Sequence, residues 1–479
     1  MARFNFFARK NNQAVNLAGG NAFEQSPKMQ LASLLLTSFA QDQYYRNANQ
    51  SFDQLKALLA KVEPEFAAKA AIYARTTYGM RSITHVLAAE LAKYAAGQPW
   101  AKGFYEKIIA RPDDMTEILS VVLAVESNKL PNAMRKGFAK AFDKFDGYQL
   151  AKYRSEGKGV KLVDVANLVH PVPVERNAEA LRQLIAGTLR NVGTWEAKLT
   201  QAGQASETDD EKTGRKAEAW ADLVRSRKIG YFALLRNLRN IAEQAPALIQ
   251  DVCDLLTNKR LIEKSLLLPF RFTTAMEAIQ AADIVDKRPL MQALNRAIDL
   301  ALSNVPHLAG RTLVVLDDSG SMMGKPIKIG ALFASVLYRS NDADLMRFSD
   351  DASYVAQNPD NPVMTIAEYL EKNARSGGTN FNAIFQRANQ RYDRIVILSD
   401  MQGWVSGGAP TAAFAAYKAK FGADPFVYSF DLQGYGSLQF PEQKVFALAG
   451  FSEKAFELMA LLESDPQALV GAIEQVALV

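Results

Sequence analysis

Residues 311–321 read RTLVVLDDSGS, a short β-branched apolar run that stops on two acids, a glycine and two serines. A run of this length bounded by turn residues is a buried strand rather than a helix. The grammar then repeats. IKIGALFASVLYRS (327–340) has helical spacing, DLMRFS (344–349) is a strand, TIAEYLEKNA (365–374) is a helix and FNAIFQRANQ (381–390) follows it. RIVILSD (394–400) is again a strand, TAAFAAYKAKF (411–421) a helix and PFVYSFDL (425–432) a strand. Strands alternating with helices specify an open, mostly parallel sheet covered on both faces. Ligand sites in such sheets form at the carboxyl ends of the strands, which places the chemistry after Leu316, Phe348 and Leu398.

Before residue 307 the pattern is different. Blocks such as MQLASLLLTSFA (29–40), EFAAKAAIYARTTY (65–78), ITHVLAAELAKYAA (83–96), MTEILSVVLAVES (115–127), YFALLRNLRNIAEQ (231–244) and MQALNRAIDLALS (291–303) carry apolar residues at helical spacing. Starts are marked by Ser51, by Glu63-Pro64 and by Pro112-Asp113-Asp114, residue types that favour helix N-termini. Helix after short-linked helix implies antiparallel pairs, which stack as a solenoid or close as a bundle. No repeat period is legible. GQASETDDEKTGRKAE (203–218) is polar and aperiodic and reads as an exposed loop.

Composition excludes several classes. The single Cys253 of the 479 residues leaves no internal disulfide, and three His exclude a His-rich zinc site. The start MARFNFFARKNNQ has no apolar stretch leading to a cleavage site, and no run reaches the roughly 18 apolar residues of a bilayer span. The expectation is a soluble, cytoplasmic protein without a membrane partner. The net charge of +5 is uneven: residues 1–300 hold 42 basic and 32 acidic groups, net +10, and residues 301–479 hold 14 and 19, net −5. Only the first part should attract a polyanion.

The loop after Leu316 carries a D-x-S-x-S pattern, Asp317, Ser319 and Ser321. One carboxylate and two hydroxyls are hard oxygen donors that suit magnesium or calcium. Gly377-Gly378 precede Thr379, a further hydroxyl, and Asp400 follows the strand RIVILS directly. In order and in this context, residues 311–460 resemble a von Willebrand factor A domain, and Asp317, Ser319, Ser321, Thr379 and Asp400 match the ligand positions of its metal-ion-dependent adhesion site. The resemblance implies a divalent cation, Mg2+ by preference, with an open position for an acidic oxygen. Asp318 lies outside that set and is expected to face solvent or a backbone amide. No His stands in these loops to activate Asp318 or Ser399, which argues against an enzyme and against the third class considered, a metal-dependent hydrolase.

Two basic clusters precede residue 300. In the first, Arg135, Lys136, Lys140 and Lys144 fall near i, i+4 spacing, and Lys152, Arg154, Lys158 and Lys161 follow in and after KYRSEGKG. Phe138, Phe142, Phe145, Tyr148 and Tyr153 lie among them and are expected on the buried side. Gly157 and Gly159 break helicity, leaving Lys152, Arg154 and Lys158 free to meet phosphates. The second cluster is Arg225, Arg227, Lys228, Arg236 and Arg239.

KYRSEGKGVKLVDVANLVHPVP (152–173), with VNLAGGNAF, YGMRSITH, ALLRNLRNI and LPFRFTTAMEAI, is similar to signatures of the Ro ribonucleoprotein family. The resemblance implies a HEAT-like helical-repeat ring, the TROVE module, over residues 1–306 and a von Willebrand A domain over 307–479. It implies a monomer closed as an intramolecular ring. Partners implied are a Y-type noncoding RNA on the outer surface, single-stranded 3′ ends of misfolded RNAs in the hole, and an exoribonuclease, in RNA quality control. The RNA-contacting set carried over is Lys136, Lys140, Lys152, Arg154, Lys158 and His170; His170 also stands where it can cap the helix VDVANLV. The alternative is a protein-interaction scaffold whose metal site captures an acidic partner residue. Cys253 and the tryptophans are expected in packing roles, with Trp404 close enough to shape the metal site.

Overall fold

The structure is a computed structural model that describes residues 13–15, 21–23, 26–37, 48–125, 130–189, 199, 209–400, 410–432, 444–449, 455–464 and 468–478. Trp195 and Trp404 lie outside these. Two compact units form, Met1–Lys61 with His307–Val470, and Val62–Pro306 with Gly471–Val479. The first 61 residues group with 307–470, and the last nine with 62–306. The helix Pro27–Thr37, with Leu31, Leu34, Leu35 and Leu36 buried, packs on the strand Val445–Ala449 and the helix Ala455–Ser464 of the α/β unit.

A short antiparallel pair, β1 (Gln13–Val15) and β2 (Asn21–Phe23), precedes the main sheet. That sheet contains β3 (Thr312–Asp317), β4 (Ala343–Phe348), β5 (Ala352–Tyr354), β6 (Arg394–Ser399), β7 (Phe426–Asp431) and β8 (Val445–Ala449) in the order 5-4-3-6-7-8. All neighbours are parallel except β4 with β5. The edge strand β5 and the strand β8 are additions to the sequence reading. β3 sits between β4 and β6, in register Leu316 opposite Leu398 and Asp317 opposite Phe348, so the three predicted loops leave one sheet edge side by side.

Both faces are covered, so β3 and β6 are buried throughout and apolar between their terminal residues. Leu313, Val315, Ile395 and Ile397 pack with Phe381, Phe385, Phe414 and Tyr417 on one face. On the other, Phe333 meets Phe430 and Phe456 at 5.0 and 4.9 Å. There the helix Lys325–Ser340 approaches so closely that a Cβ on Gly330 would stand 2.6 Å from Leu316 Cδ1.

In the helical unit, helices two or three apart in sequence lie side by side. Pro64–Thr76 packs on Ala101–Lys107, which packs on Asn132–Ala141; Ser82–Glu90 packs on Pro112–Val125, which packs on Leu162–Val169. Two such rows form when helical pairs stack on their neighbours. Glu63 and Pro64 open their helix as expected, whereas the helix around Ser51 already begins at Ala48. The expected loop 203–218 is corrected over its second half, because Asp209–Arg225 is one helix. Acidic residues at its start and basic ones a turn later suit the helix dipole and i, i+4 pairing, and Trp220, Leu223 and Val224 bury its last turns. Among the described residues no helix is long and apolar enough to cross a membrane.

Candidate functional site

Asp317 ends β3 fully buried, and its carboxylate accepts from the Ser319 amide at 2.9 Å and from the Ser399 hydroxyl at 2.5 Å. Ser319 Oγ and Ser321 Oγ are 3.3 Å apart. The loop holding Thr379 is stitched onto this turn by Gly320 N to Gly377 O (2.9 Å) and Ser376 N to Asp318 O (2.9 Å), and onto the end of β4 by Asn380 N to Ser349 O (2.8 Å). Gly377 lies close to Asp350, whose side chain would have to move to admit a Cβ 2.2 Å from its Oδ2. Thr379 and Asp400 are buried, while Ser321 stands at the surface. Burial pushes the Asp317 carboxyl up to about 7; the serine hydrogen bonds oppose this and the Asp400 carboxylate adds to it.

The donor set fits a divalent cation. Asp317 and Asp400 are two buried carboxylates close enough for one to act on the other, and Ser319, Ser321 and Thr379 on the adjoining loops bring neutral hydroxyl oxygens. Among the described residues no three His, Cys, Asp or Glu side chains converge, so an ion here rests on hydroxyl donors and on oxygens from outside the chain. Ser399, whose hydroxyl orients Asp317, was missed as a member of this site; its place after an apolar strand was the available signal.

Asp318 corrects an expectation. It is 1% exposed, and although it accepts from the Arg375 amide (3.2 Å), its main partner is the Arg375 guanidinium, at 2.9 and 3.0 Å.

In the helical unit the basic surface is smaller than the sequence suggested. Lys136 is exposed and, like the exposed His170, has no side-chain partner among the described residues. Lys140 pairs with Asp143 at 2.7 Å, Lys158 with Glu117, and the Arg154 guanidinium donates to the Leu189 carbonyl. Arg154 and Lys158 are therefore not free as expected. Lys144 leaves the expected face altogether. It donates to the carbonyls of Glu106 and of Ile109 (3.0 Å), closing the end of the helix Ala101–Lys107, and burial lowers its pKa. His170 is the C-cap of Leu162–Val169 in a left-handed conformation, φ 51°, with its ring outside.

Phe138, Phe142 and Phe145 are core, but Tyr148 is exposed and Tyr153 half-buried, against the expectation. Lys152 Nζ lies 5.7 and 5.5 Å from their ring centroids. Arg111 lies 4.2 Å over Tyr153. The loop 152–161 is further tied to the helix Pro112–Val125 by Thr116 Oγ1 to Ser155 Oγ, 3.0 Å. In the first turn of that helix Asp114 is fully buried, accepting from Arg75 (2.8 and 3.1 Å), His85 Nε2 (2.9 Å) and the amides of Ala110 and Arg111. Burial works to raise its pKa, and His85 and Arg75 outweigh it, holding the carboxyl well below the usual range.

The second basic cluster is exposed at Arg225, Arg227, Lys228, Arg236 and Arg239, with Arg225 on Asp251 (3.1 Å) and Arg239 near Glu243 (3.9 Å). Cys253 and Trp220 are buried in packing roles.

The TROVE domain family model matches residues 11–213 and 188–298, more than half of the chain. Among curated proteins, Telomerase protein component 1 of Rattus norvegicus is 24% identical over 53% of this chain and that of Mus musculus 23% over the same share. The match spans only 13% of the length of those relatives. Among solved structures, the Deinococcus radiodurans RO (RSR) protein superposes with TM-score 0.64 at 18% identity, covering 94% of this chain and 100% of that one. The two-part fold, helical unit plus α/β unit, is thus that of the Ro protein.

Proposed function

This chain belongs to the TROVE-domain family of Ro proteins, and from that premise we propose that it binds noncoding RNA of the Y type and the single-stranded 3′ ends of misfolded RNAs, in RNA quality control in the cytoplasm. The observation that carries the reading is a strip of sequence, 136–170, in which Lys136, Lys152, Lys158 and His170, four cationic or ionisable side chains, are exposed on successive elements of one unit. Phosphate contacts by such groups supply most RNA affinity and make it salt-dependent. The pairs Lys140–Asp143 and Lys158–Glu117 are screened by solvent, so phosphate can replace the carboxylate. The reading is of binding rather than catalysis, with an exoribonuclease as a separate partner.

Asp317, Ser319, Ser321, Thr379 and Asp400 are proposed to hold a divalent cation, Mg2+ by preference. When bound, it offers a Lewis-acidic position to a carboxylate or phosphate oxygen of a partner. The chain's own part is to orient Asp317 through Ser399 and to fix the Thr379 loop through Gly377. The hydroxyl-rich donor set favours a second role beside RNA binding, capture of an acidic side chain of a protein partner.

Charge reversal at the exposed Lys152 and Lys158 tests the main reading, since Arg154 is committed to the Leu189 carbonyl. Affinity for a structured RNA should fall and the salt slope should flatten, with the circular dichroism spectrum unchanged; unchanged gel-shift affinity would overturn it. For the cation, Mg2+ at a hundredfold excess over its Kd should stabilise the α/β unit by about 2.7 kcal/mol. That gain should vanish in Thr379→Ala if the site is as assigned.

A further inference from the structure

Phe138, Phe142 and Phe145 are buried, yet Tyr148, on the next short helix Gly147–Lys152, stands 51% exposed beside the cations of the strip. Its neighbours are ordered. Lys152 Nζ lies 5.7 Å from the Tyr148 ring centroid and 5.5 Å from that of Tyr153. Arg111 lies 4.2 Å over Tyr153 and is itself held by Asp113 at 2.7 and 2.9 Å. The result is a ladder of ring, ammonium, ring and guanidinium, in which Arg111 occupies a face of Tyr153 while Tyr148, the outer ring, offers its surface to solvent.

An exposed aromatic face beside a mobile ammonium has the chemistry of a single-stranded nucleic-acid site: the ring stacks a base and the cation meets the phosphate. A base in a duplex already has both faces stacked, so only an unpaired nucleotide can use the ring. We infer that Tyr148 is a stacking platform for one unpaired nucleobase of the bound RNA, with Lys152 holding the phosphate of the same nucleotide. This rests on the RNA-binding reading and adds to it the residue that stacks an unpaired base.

The test uses the full chain and two labelled RNAs of equal length, a stem with an unpaired 3′ tail and a fully paired duplex, followed by fluorescence anisotropy at several salt concentrations. Tyr148→Ala should weaken binding of the tailed RNA about 5- to 150-fold, leave the duplex unaffected, and leave the salt slope unchanged. Tyr148→Phe should keep the affinity. Lys152→Ala should lower the slope by about 0.7 on the tailed RNA. Tyr369→Ala, at an exposed tyrosine of the α/β unit, should do nothing. Equal losses on both RNAs, or failure of Tyr148→Phe to retain binding, overturn the stacking role. Wild-type binding that Tyr148→Ala leaves intact overturns it alone, whereas a wild-type chain that binds neither RNA overturns the RNA-binding reading with it.

Discussion

Asp318 and Arg375 form a two-point ion pair, 2.9 and 3.0 Å, that locks the turn after β3 to the loop carrying Thr379. The carboxylate is 1% exposed and the guanidinium only partly so, and Ser376 N donates to Asp318 O in the same connection. One residue of the D-D-S-G-S turn thus faces the candidate metal position, and its neighbour faces away to brace the second loop. Strand alternation continued one step past β3 accounts for the opposite orientations.

Removing one partner of a buried pair leaves the other charge uncompensated, which costs roughly 3–5 kcal/mol. Arg375→Ala should therefore lower the stability of the α/β unit by an amount near that range, Arg347 at 4.0 Å softening the loss. Urea unfolding followed by tryptophan-independent circular dichroism measures it. A change below about 1 kcal/mol, the value of an exposed pair, would falsify the bracing role.

Asp114 gives a pH dependence with a defined sign. Its carboxyl is held below its ordinary value, chiefly against burial by His85 and Arg75, with Arg81 at 3.4 Å adding to the positive side and Asp113 neighbouring both Arg81 and Arg111. A depressed carboxylate contributes stability that is complete above its unfolded pKa, about 3.9, and is lost as pH falls toward the folded value. The helical unit should lose urea resistance steeply between about pH 4 and pH 2. Asp114→Asn should be less stable at pH 7, with Arg75 left buried beside a neutral amide, and flatter across the acid range. An equally steep acid loss in Asp114→Asn would assign the effect to other carboxylates.

Where local pattern decides structure, the sequence was legible. The strands TLVVL and RIVIL end on polar residues at one sheet edge, and the spacing of Asp317, Ser319 and Ser321 brings their polar groups together. What remained hidden depends on distant partners or on a break in period. Lys144 looked like the fourth cation of a helical face, but the helix ends at Ala141 and the ammonium serves carbonyls at 106 and 109. Tyr148 follows Phe145 at helical spacing, yet Asp146 caps a new helix, with Gln149 completing the box, so the period restarts and the ring turns outward. The pair of Asp318 with Arg375 spans 57 residues, and no local rule foresees it.

Glu117 competes with RNA for Lys158. The pair is exposed, 58% and 35% at the two side chains, so its own worth is small and its electrostatic effect on an approaching phosphate is the larger consequence. Glu117→Gln should raise affinity for a structured RNA about 2- to 5-fold at low salt, the scale of an exposed pair, and the gain should fade as salt screens the surface. Filter binding at two ionic strengths checks this. Unchanged affinity at low salt would place Lys158 outside the RNA contact.

Gly137 tests whether the cationic strip depends on one helix contact. It lies where Asn132–Ala141 crosses Ala101–Lys107, and a Cβ there would stand 2.6 Å from Tyr105 Cβ, 2.7 Å from the Lys102 carbonyl oxygen and 3.0 Å from the Glu106 amide. Two of these are backbone atoms of a packed helix, which cannot turn aside as a flexible side chain would, so the helices must separate. Overpacking of this kind costs about 1–3 kcal/mol, occasionally more. Separation also pulls Lys144 from the Glu106 and Ile109 carbonyls and loosens the contact of Tyr105 with Phe138, now 6.2 Å between centroids. Gly137→Ala should therefore lower the unfolding midpoint of the helical unit and weaken RNA binding together, although no RNA-facing residue is altered. Gly159→Ala, at a position with open space for a Cβ, should leave the midpoint in place. Equal midpoints for Gly137→Ala and the wild type would mean that the two helices are not pressed together at this point.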